Sequence, residues 1–411
     1  MNPSQILLEA LENQNLEAAQ AAFDLLLQES SPEQQFEMAL YLEEMGFYDQ
    51  AQLLYEKVKE AYPEAFLSLA QMASQEGRTE EAFAYLEEIP KTSDWYLASL
   101  LVKADLYQAE GLTDVAREKL MEAQELSDDP IIVFGIAELE FELGNYRAAI
   151  QAYASLDNRE IYALTGISTY QRIALSYASL GKMEAAIEFL EKAIELEYDD
   201  KSVHELALLL LETGRAQRAL DYFRQLEALS PDMLGFEWGY ARALKEEHQL
   251  EEALRVAKAG LAKNPFDDHL LLLASQLSYE LHETQEAKAY LLEAKEVAED
   301  LEEIYLRLSN LYLEEEAYAD LVAQIPADVD SVLTKWNLAK ALLALEEDER
   351  ALAIYQDLAG DLKANPEFLE EYAYILRQMG QTDEAAQAAK AVLDLVPDHA
   401  DMQEFLNGLD A

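Results

Sequence analysis

Cysteine is absent from the 411-residue sequence. That excludes disulfides, thiolate metal sites and cysteine nucleophiles, and it suits a reducing cytoplasm. Glycine and proline are scarce, at 14 and 10 residues, so little interrupts regular structure. No apolar run approaches the length of a membrane span; Leu206 to Leu211 is among the longest. Residues 1–14 have neither a basic segment nor a long apolar core, so no signal peptide is expected. Positive charge is short as well: 30 Lys and Arg stand against 82 Asp and Glu, a formal charge of −52. A field of that sign repels nucleic acid and anionic membrane and attracts basic protein segments.

Catalytic signatures are also missing. Histidine is limited to His204, His248, His269, His282 and His399, and none has a second histidine four residues on. Helical zinc pairs are therefore excluded, and His282-Glu283 lacks the remaining half of a zinc-protease motif. Gly-x-Ser-x-Gly, Gly-x-Gly-x-x-Gly and phosphate-loop sequences do not occur. Asp328 and Asp330 are spaced like part of a calcium loop, but no glycine or closing glutamate follows. The expectation is a chain without enzymatic activity, metal or cofactor.

What remains is a chain dominated by alanine, leucine and glutamate, which reads as nearly all α-helix. The stretch Tyr170–Leu196 displays its building unit. Tyr170, Ile173, Ala174 and Tyr177 share one helical face, and Ala186, Leu190 and Ala193 share another. Gly181 lies between them, where one helix must stop and the chain reverse. Small residues at Ala174 and Ala186 let the two helix axes approach closely.

This unit resembles the tetratricopeptide repeat (TPR), and the resemblance recurs along the chain. The alanine opening the second helix falls at Ala19, Ala51, Ala82, Ala116, Ala149, Ala186, Ala219, Ala253 and Ala287. It continues to Ala351 and Ala385, with Leu321 once in its place. Most spacings cluster near the 34-residue period of the family. The resemblance implies an all-α TPR solenoid, a right-handed superhelix of about twelve helix-turn-helix repeats over residues 1–397. A C-terminal capping helix, carrying Met402, Phe405, Leu406 and Leu409 on one stripe, covers 398–411. The widest spacing, between Ala149 and Ala186, places a joint near 157–169.

Glycine precedes the alanine by five residues at Gly46, Gly77, Gly111, Gly144, Gly181, Gly214 and Gly380. Gln14, His248, His282, Glu316 and Glu346 hold that place elsewhere, and differently shaped turns are expected there. Ser31-Pro32, Ser230-Pro231, Asn264-Pro265 and Asn365-Pro366 read as helix starts.

In the TPR family the first helix of each repeat lines a concave groove, and projecting that register divides the chain. Early units offer Phe36, Leu40 and Glu43, then Leu67, Gln71 and Ser74, apolar with scattered acid and no base. Later units offer Trp238, Arg242 and Lys245; Gln276 and Tyr279; Asn310; Trp336, Asn337 and Lys340; Tyr374 and Arg377. These basic and aromatic residues form the candidate peptide-binding groove, suited to a segment with acidic or C-terminal carboxylate groups. The family's carboxylate clamp is not reproduced: Asn310 and Asn337 occupy its two asparagine places, but Leu306, Glu367 and Glu371 replace its bases.

The resemblance therefore implies a non-enzymatic TPR scaffold or adaptor that binds a protein or peptide partner, with no nucleic acid and no membrane insertion. It would act in the cytoplasm as a monomer or weak homodimer, like stand-alone TPR proteins of Gram-positive bacteria. The alternative is a regulatory peptide sensor of the Rap-like or peptide-receptor-like kind, whose superhelix changes pitch on binding. Because like charges repel along such an array, moderate salt is expected to raise the melting temperature in a calorimetric titration. A melting temperature that falls steadily with added salt contradicts this.

Overall fold

Each alanine that sets the register lies where two helices meet. Ala51, Ala82, Ala116, Ala149, Ala186, Ala219, Ala253, Ala287, Ala351 and Ala385 are all fully buried. The computed structural model describes residues 2–409 and contains 26 helices, with no strand among the described residues. The fold is all-α, an array of antiparallel helical hairpins.

Two compact units divide the chain between Ser202 and Val203. The first contains α1 (Pro3–Glu12), α2 (Leu16–Glu29), α3 (Pro32–Glu44), α4 (Tyr48–Val58), α5 (Ala65–Gln75), α6 (Thr79–Glu87) and α7 (Tyr96–Ala109). It continues with α8 (Thr113–Gln124), α9 (Pro130–Glu142), α10 (Tyr146–Ala154), α11 (Asn158–Thr165), α12 (Thr169–Ser179) and α13 (Met183–Leu196). The first turn of α14 (Asp200–Glu212) contains the division. The second unit continues with α15 (Ala216–Leu229), α16 (Phe236–Glu246), α17 (Leu250–Lys263), α18 (Asp268–Glu280), α19 (Thr284–Val297) and α20 (Glu302–Glu314). After these come α21 (Tyr318–Gln324), α22 (Val332–Ala344), α23 (Asp348–Leu358), α24 (Pro366–Gln378), α25 (Thr382–Leu395) and α26 (Ala400–Leu409). No helix among the described residues is long and apolar enough to cross a membrane.

The extra residues between Ala149 and Ala186 form α11. Asp157 caps it by accepting from the backbone N–H groups of Arg159 and Glu160. Ile161 is fully buried and packs in one cluster with Phe134, Tyr153 and Ile173. Asn158 Oδ1 accepts from the backbone N–H of Thr169 at 2.8 Å, tying α11 to the start of α12. At the other end of the chain, Met402 and Phe405 of α26 are buried in the cluster that also holds Val392 of α25.

Two expectations about helix ends are corrected. Ser31 and Asn365 do cap α3 and α24, each with proline in the first turn. Ser230 and Asn264 instead terminate α15 and α17, and the following helices begin only at Phe236 and Asp268. A polar residue before proline ends a helix as readily as it starts one, because proline disfavours the α conformation of the residue before it. The second correction concerns the turns without glycine. Gln14, His248, His282, Glu316 and Glu346 adopt φ between 55° and 64°, in the same left-handed region as Gly181 at 70°. The turn keeps its shape, and the side chain bears the cost of the left-handed conformation.

Trp336 differs from the groove expectation. It is only 7% exposed, and its ring meets Phe368 edge-on at 5.8 Å. Its indole N–H donates to Glu371 Oε2 at 2.7 Å. The Tyr355 hydroxyl also donates to Glu371 at 2.7 Å, and burial pushes that hydroxyl's pKa up, keeping it a neutral donor. Lys340 lies 4.0 Å above the Trp336 ring and pairs with Glu367 at 3.0 Å and Glu371 at 3.2 Å. Trp336 and Lys340 are thus committed to the packing of α22 on α24.

Two stability outcomes follow. Gly181→Ala is expected to cost about 1–2 kcal/mol and His282→Gly to stabilise by up to about 1 kcal/mol, compared by thermal melts; equal melting temperatures for all three chains contradict the turn argument. Trp336→Ala is expected to destabilise by about 3–5 kcal/mol in urea titrations followed by circular dichroism. An unchanged transition would return Trp336 to the surface.

Candidate peptide groove on α16, α18 and α20

Three helices of the second unit bury most of their circumference and leave one stripe accessible. On α16, Phe236, Glu237, Gly239, Tyr240, Ala241, Ala243 and Leu244 are buried. Trp238, Arg242, Lys245 and Glu246 remain, at offsets of four, seven and eight residues, one helical face. Gly239 lies on the packed side of this helix. A Cβ there would lie 2.7 Å from a Leu208 methyl and 2.8 Å from the Phe223 ring, so only glycine lets α16 come this close. On α18 the remaining stripe is His269, Leu272, Gln276, Tyr279 and Glu280; on α20 it is Glu303, Leu306, Arg307, Asn310, Leu313 and Glu314.

These stripes enclose two adjoining clefts. One, of about 430 Å³, is lined by Trp238, Arg242, Lys245, His269, Gln276 and Arg307, among others. The second, of about 320 Å³, has Gln276, Tyr279, Arg307, Asn310 and Glu314 in its wall. Gln276 and Arg307 belong to both.

Hydrogen bonds and ion pairs orient the lining. The Arg242 guanidinium lies 4.6 Å over the Trp238 ring, and its carboxylate contact is Glu246 at a long 3.9 Å. Its planar fork therefore keeps donors for a ligand. Lys245 reaches Glu280 on the next helix at 3.2 Å. Arg307 donates to the Leu272 carbonyl at 3.1 Å through one nitrogen and pairs with Glu303 through the other. The Tyr279 hydroxyl donates to Glu314 at 2.9 Å, and that carboxylate raises its pKa, so it stays protonated. The larger cleft thus holds three cationic side chains against the two carboxylates of Glu246 and Glu303, in a chain of charge −52.

Of the eleven candidate residues, Trp238, Arg242, Lys245, Gln276, Tyr279 and Asn310 are brought together here. Asn337 donates to Asn310 Oδ1 at 2.7 Å and Ser309 Oγ at 2.9 Å, so it braces the site from α22. Trp336 is buried in packing, and the part-exposed Lys340 pairs with Glu367 and Glu371 of α24 outside these clefts. Tyr374 and Arg377 meet α26: the Tyr374 ring lies 5.1 Å from that of Phe405, and the Arg377 guanidinium 4.3 Å from it. Sequence projection missed Arg307 and His269. Arg307 stands one residue from the projected Leu306, and His269 lies three residues, about one turn, before the projected Leu272.

One group of metal-ligand type occurs among the described residues, Glu370, His399 and Asp401, with ligand atoms within 4.8 Å. His399 Nε2 lies 3.2 Å from Glu370 Oε2, which joins the start of α26 to α24.

Comparison with known proteins identifies the family. A family model described as YpiA-like tetratricopeptide repeats matches residues 108–161, and one for YpiA-like C-terminal repeats matches 333–399. General tetratricopeptide models match residues 36–95, 167–200 and 210–277. The TPR repeat-containing protein YpiA of Bacillus subtilis (strain 168) is 30% identical over 332 residues, covering 80% of this chain and 78% of that protein. Among solved structures, YrrB, titled a TPR protein with an unusual peptide-binding site, is 13% identical with a TM-score of 0.40, covering 44% of this chain and 96% of that chain. The C-terminal part of a TPR repeat-containing protein of Cytophaga hutchinsonii is 16% identical with a TM-score of 0.42, covering 66% of this chain and 98% of that chain. With eleven alanine-marked hairpins, a twelfth marked by Leu321, and this extent of shared sequence, the chain belongs to the YpiA-like family of tetratricopeptide-repeat proteins.

Proposed function

We propose that the chain is a non-enzymatic adaptor that captures a segment of a partner protein in the groove of α16, α18 and α20. The observation that carries this reading is the convergence of Trp238, Arg242, Lys245, Gln276 and Arg307 on one cleft of a strongly acidic chain. An aromatic face, a stacked guanidinium and nearby amides suit a segment that carries a carboxylate, from a side chain or a C-terminus. The amides and the Tyr279 hydroxyl of the neighbouring cleft suit the peptide backbone. Membership in a repeat family typical of interaction scaffolds supports a protein partner. Helices already packed on both sides present the groove preformed, which lowers the ordering cost of binding. A cytoplasmic location, a monomeric or weakly dimeric state, and an array over 1–397 closed by the helix at 398–411 belong to the same proposal.

The test compares wild type with Trp238→Ala/Arg242→Glu in affinity capture from an extract of the native cell. The variant is expected to lose the captured partner while keeping helical content and melting temperature, because both side chains lie on the accessible stripe. Capture of the same protein by both chains removes the site from this groove. A peptide scan of the captured partner then separates side-chain from C-terminal carboxylates, since amidation of a C-terminal ligand is expected to weaken binding by about tenfold or more.

A further inference from the structure

The first hairpins present a surface of opposite character. On α3 the exposed residues are Pro32, Glu33, Glu37, Leu40, Tyr41 and Glu44, continued by Met45 at its end. From Glu37, offsets of three, four, seven and eight residues put Leu40, Tyr41, Glu44 and Met45 on one continuous stripe. Leu40, Tyr41 and Met45 are 38%, 37% and 55% exposed. An apolar band thus runs along the helix with a carboxylate at each end.

No ion pair to Glu37 or Glu44 occurs among the described residues. Residues 1–56 hold eleven acids and no lysine or arginine. The first two bases, Lys57 and Lys59, are taken by the Leu27 carbonyl and by Glu56. Glu44 also lies in the last turn of α3, where no base is present. Negative charge at a helix C-terminus opposes the macrodipole, so Glu44 costs stability where it stands. An incoming cation would relieve both the repulsion and the dipole, and the apolar band beside it would be covered in the same event.

We propose that this stripe of α3 docks a cationic amphipathic helix of a partner protein. Charge complementarity selects that occupant. A second copy of this chain brings −52 of like charge, and nucleic acid or anionic membrane is repelled in the same way. Geometry fits a helix. Glu37 and Glu44 are seven residues apart, about 10.5 Å along the axis, two turns of any α-helix. A partner helix with lysine or arginine at positions seven apart and leucine-type residues between them matches both charges and the apolar band. This surface lies in the first unit and rests on no property of the α16–α20 groove.

The experiment uses the full chain and a fluorescent lysine–leucine amphipathic peptide of about five turns, followed by anisotropy at physiological salt. Leu40→Ser/Met45→Ser and Glu37→Gln/Glu44→Gln are each expected to weaken binding by about tenfold, with unchanged circular dichroism. Glu118→Gln/Glu125→Gln removes two exposed acids with the same spacing on and just past α8, and is expected to change binding by less than about twofold. Equal weakening by that control shows diffuse charge attraction and overturns the proposal. So does undiminished binding by Leu40→Ser/Met45→Ser, or no binding at all. A concentration-dependent dimer that the same variant abolishes assigns the stripe to a second copy and also overturns it.

Discussion

Close approach of two helices over an alanine is the constraint on which this chain depends. Wherever that alanine stands in the second helix of a hairpin, it is buried almost completely, from Ala51 to Ala385. A larger residue forces a local solution. At Leu321 the second helix, α21, is reduced to seven residues, and the leucine is still fully buried. Tight hairpins stacked on neighbours leave each first helix a narrow accessible stripe. That stripe, set by rotation of the helix, decides which side chains are available for recognition. Gly239 shows the rule at its sharpest, since its missing side chain lets α16 pack against Leu208 and Phe223 while Trp238 and Arg242 line the cleft.

Charge is managed by the same geometry. With 82 acids and 30 bases, carboxylates outnumber cations, and several cations bridge neighbouring helices. Lys245 pairs with Glu280, Lys258 with Glu286, Lys288 with Glu315 and Lys340 with Glu371. Buried tyrosines repeat a related device. Tyr55 donates to Glu43, Tyr153 to Glu138 and Tyr355 to Glu371, all within 2.7 Å. Burial and the adjacent carboxylate push each of these hydroxyls far above the ordinary phenol range, so they act as donors at any physiological pH. Against that background Arg242 stands out, stacked on an indole and only loosely engaged by a carboxylate. The α3 stripe stands out for the opposite reason, with acids that no base pairs among the described residues.

The helical period, the alanine register and the turn glycines made the fold legible, because each follows from backbone geometry acting within a few residues. The candidate groove was legible only in part. Trp238 and Trp336 hold equivalent register positions, fifteen residues before Ala253 and Ala351, yet one lines a cleft and the other is buried. The residue thirty-five further on decides the difference: Leu273 offers the Trp238 indole nothing, whereas Glu371 accepts the indole N–H of Trp336. That information lies on the next hairpin and is invisible to a register. Tyr374 and Arg377 stay exposed but lie against Phe405 of α26, away from the two clefts. Arg307 escaped because a helix offers two flanking positions beside each groove line. The turns at His248, His282 and Glu346 escaped because tertiary packing imposes the left-handed conformation on residues that pay for it.

Hydrogen–deuterium exchange of the full chain, alone and with its captured partner, tests the central claim most directly. The account predicts added protection on α16, α18 and α20, between residues 236 and 314, with α17 and α19 unchanged. Protection confined to α17, α19 and α21, with α16, α18 and α20 unaltered, would contradict it.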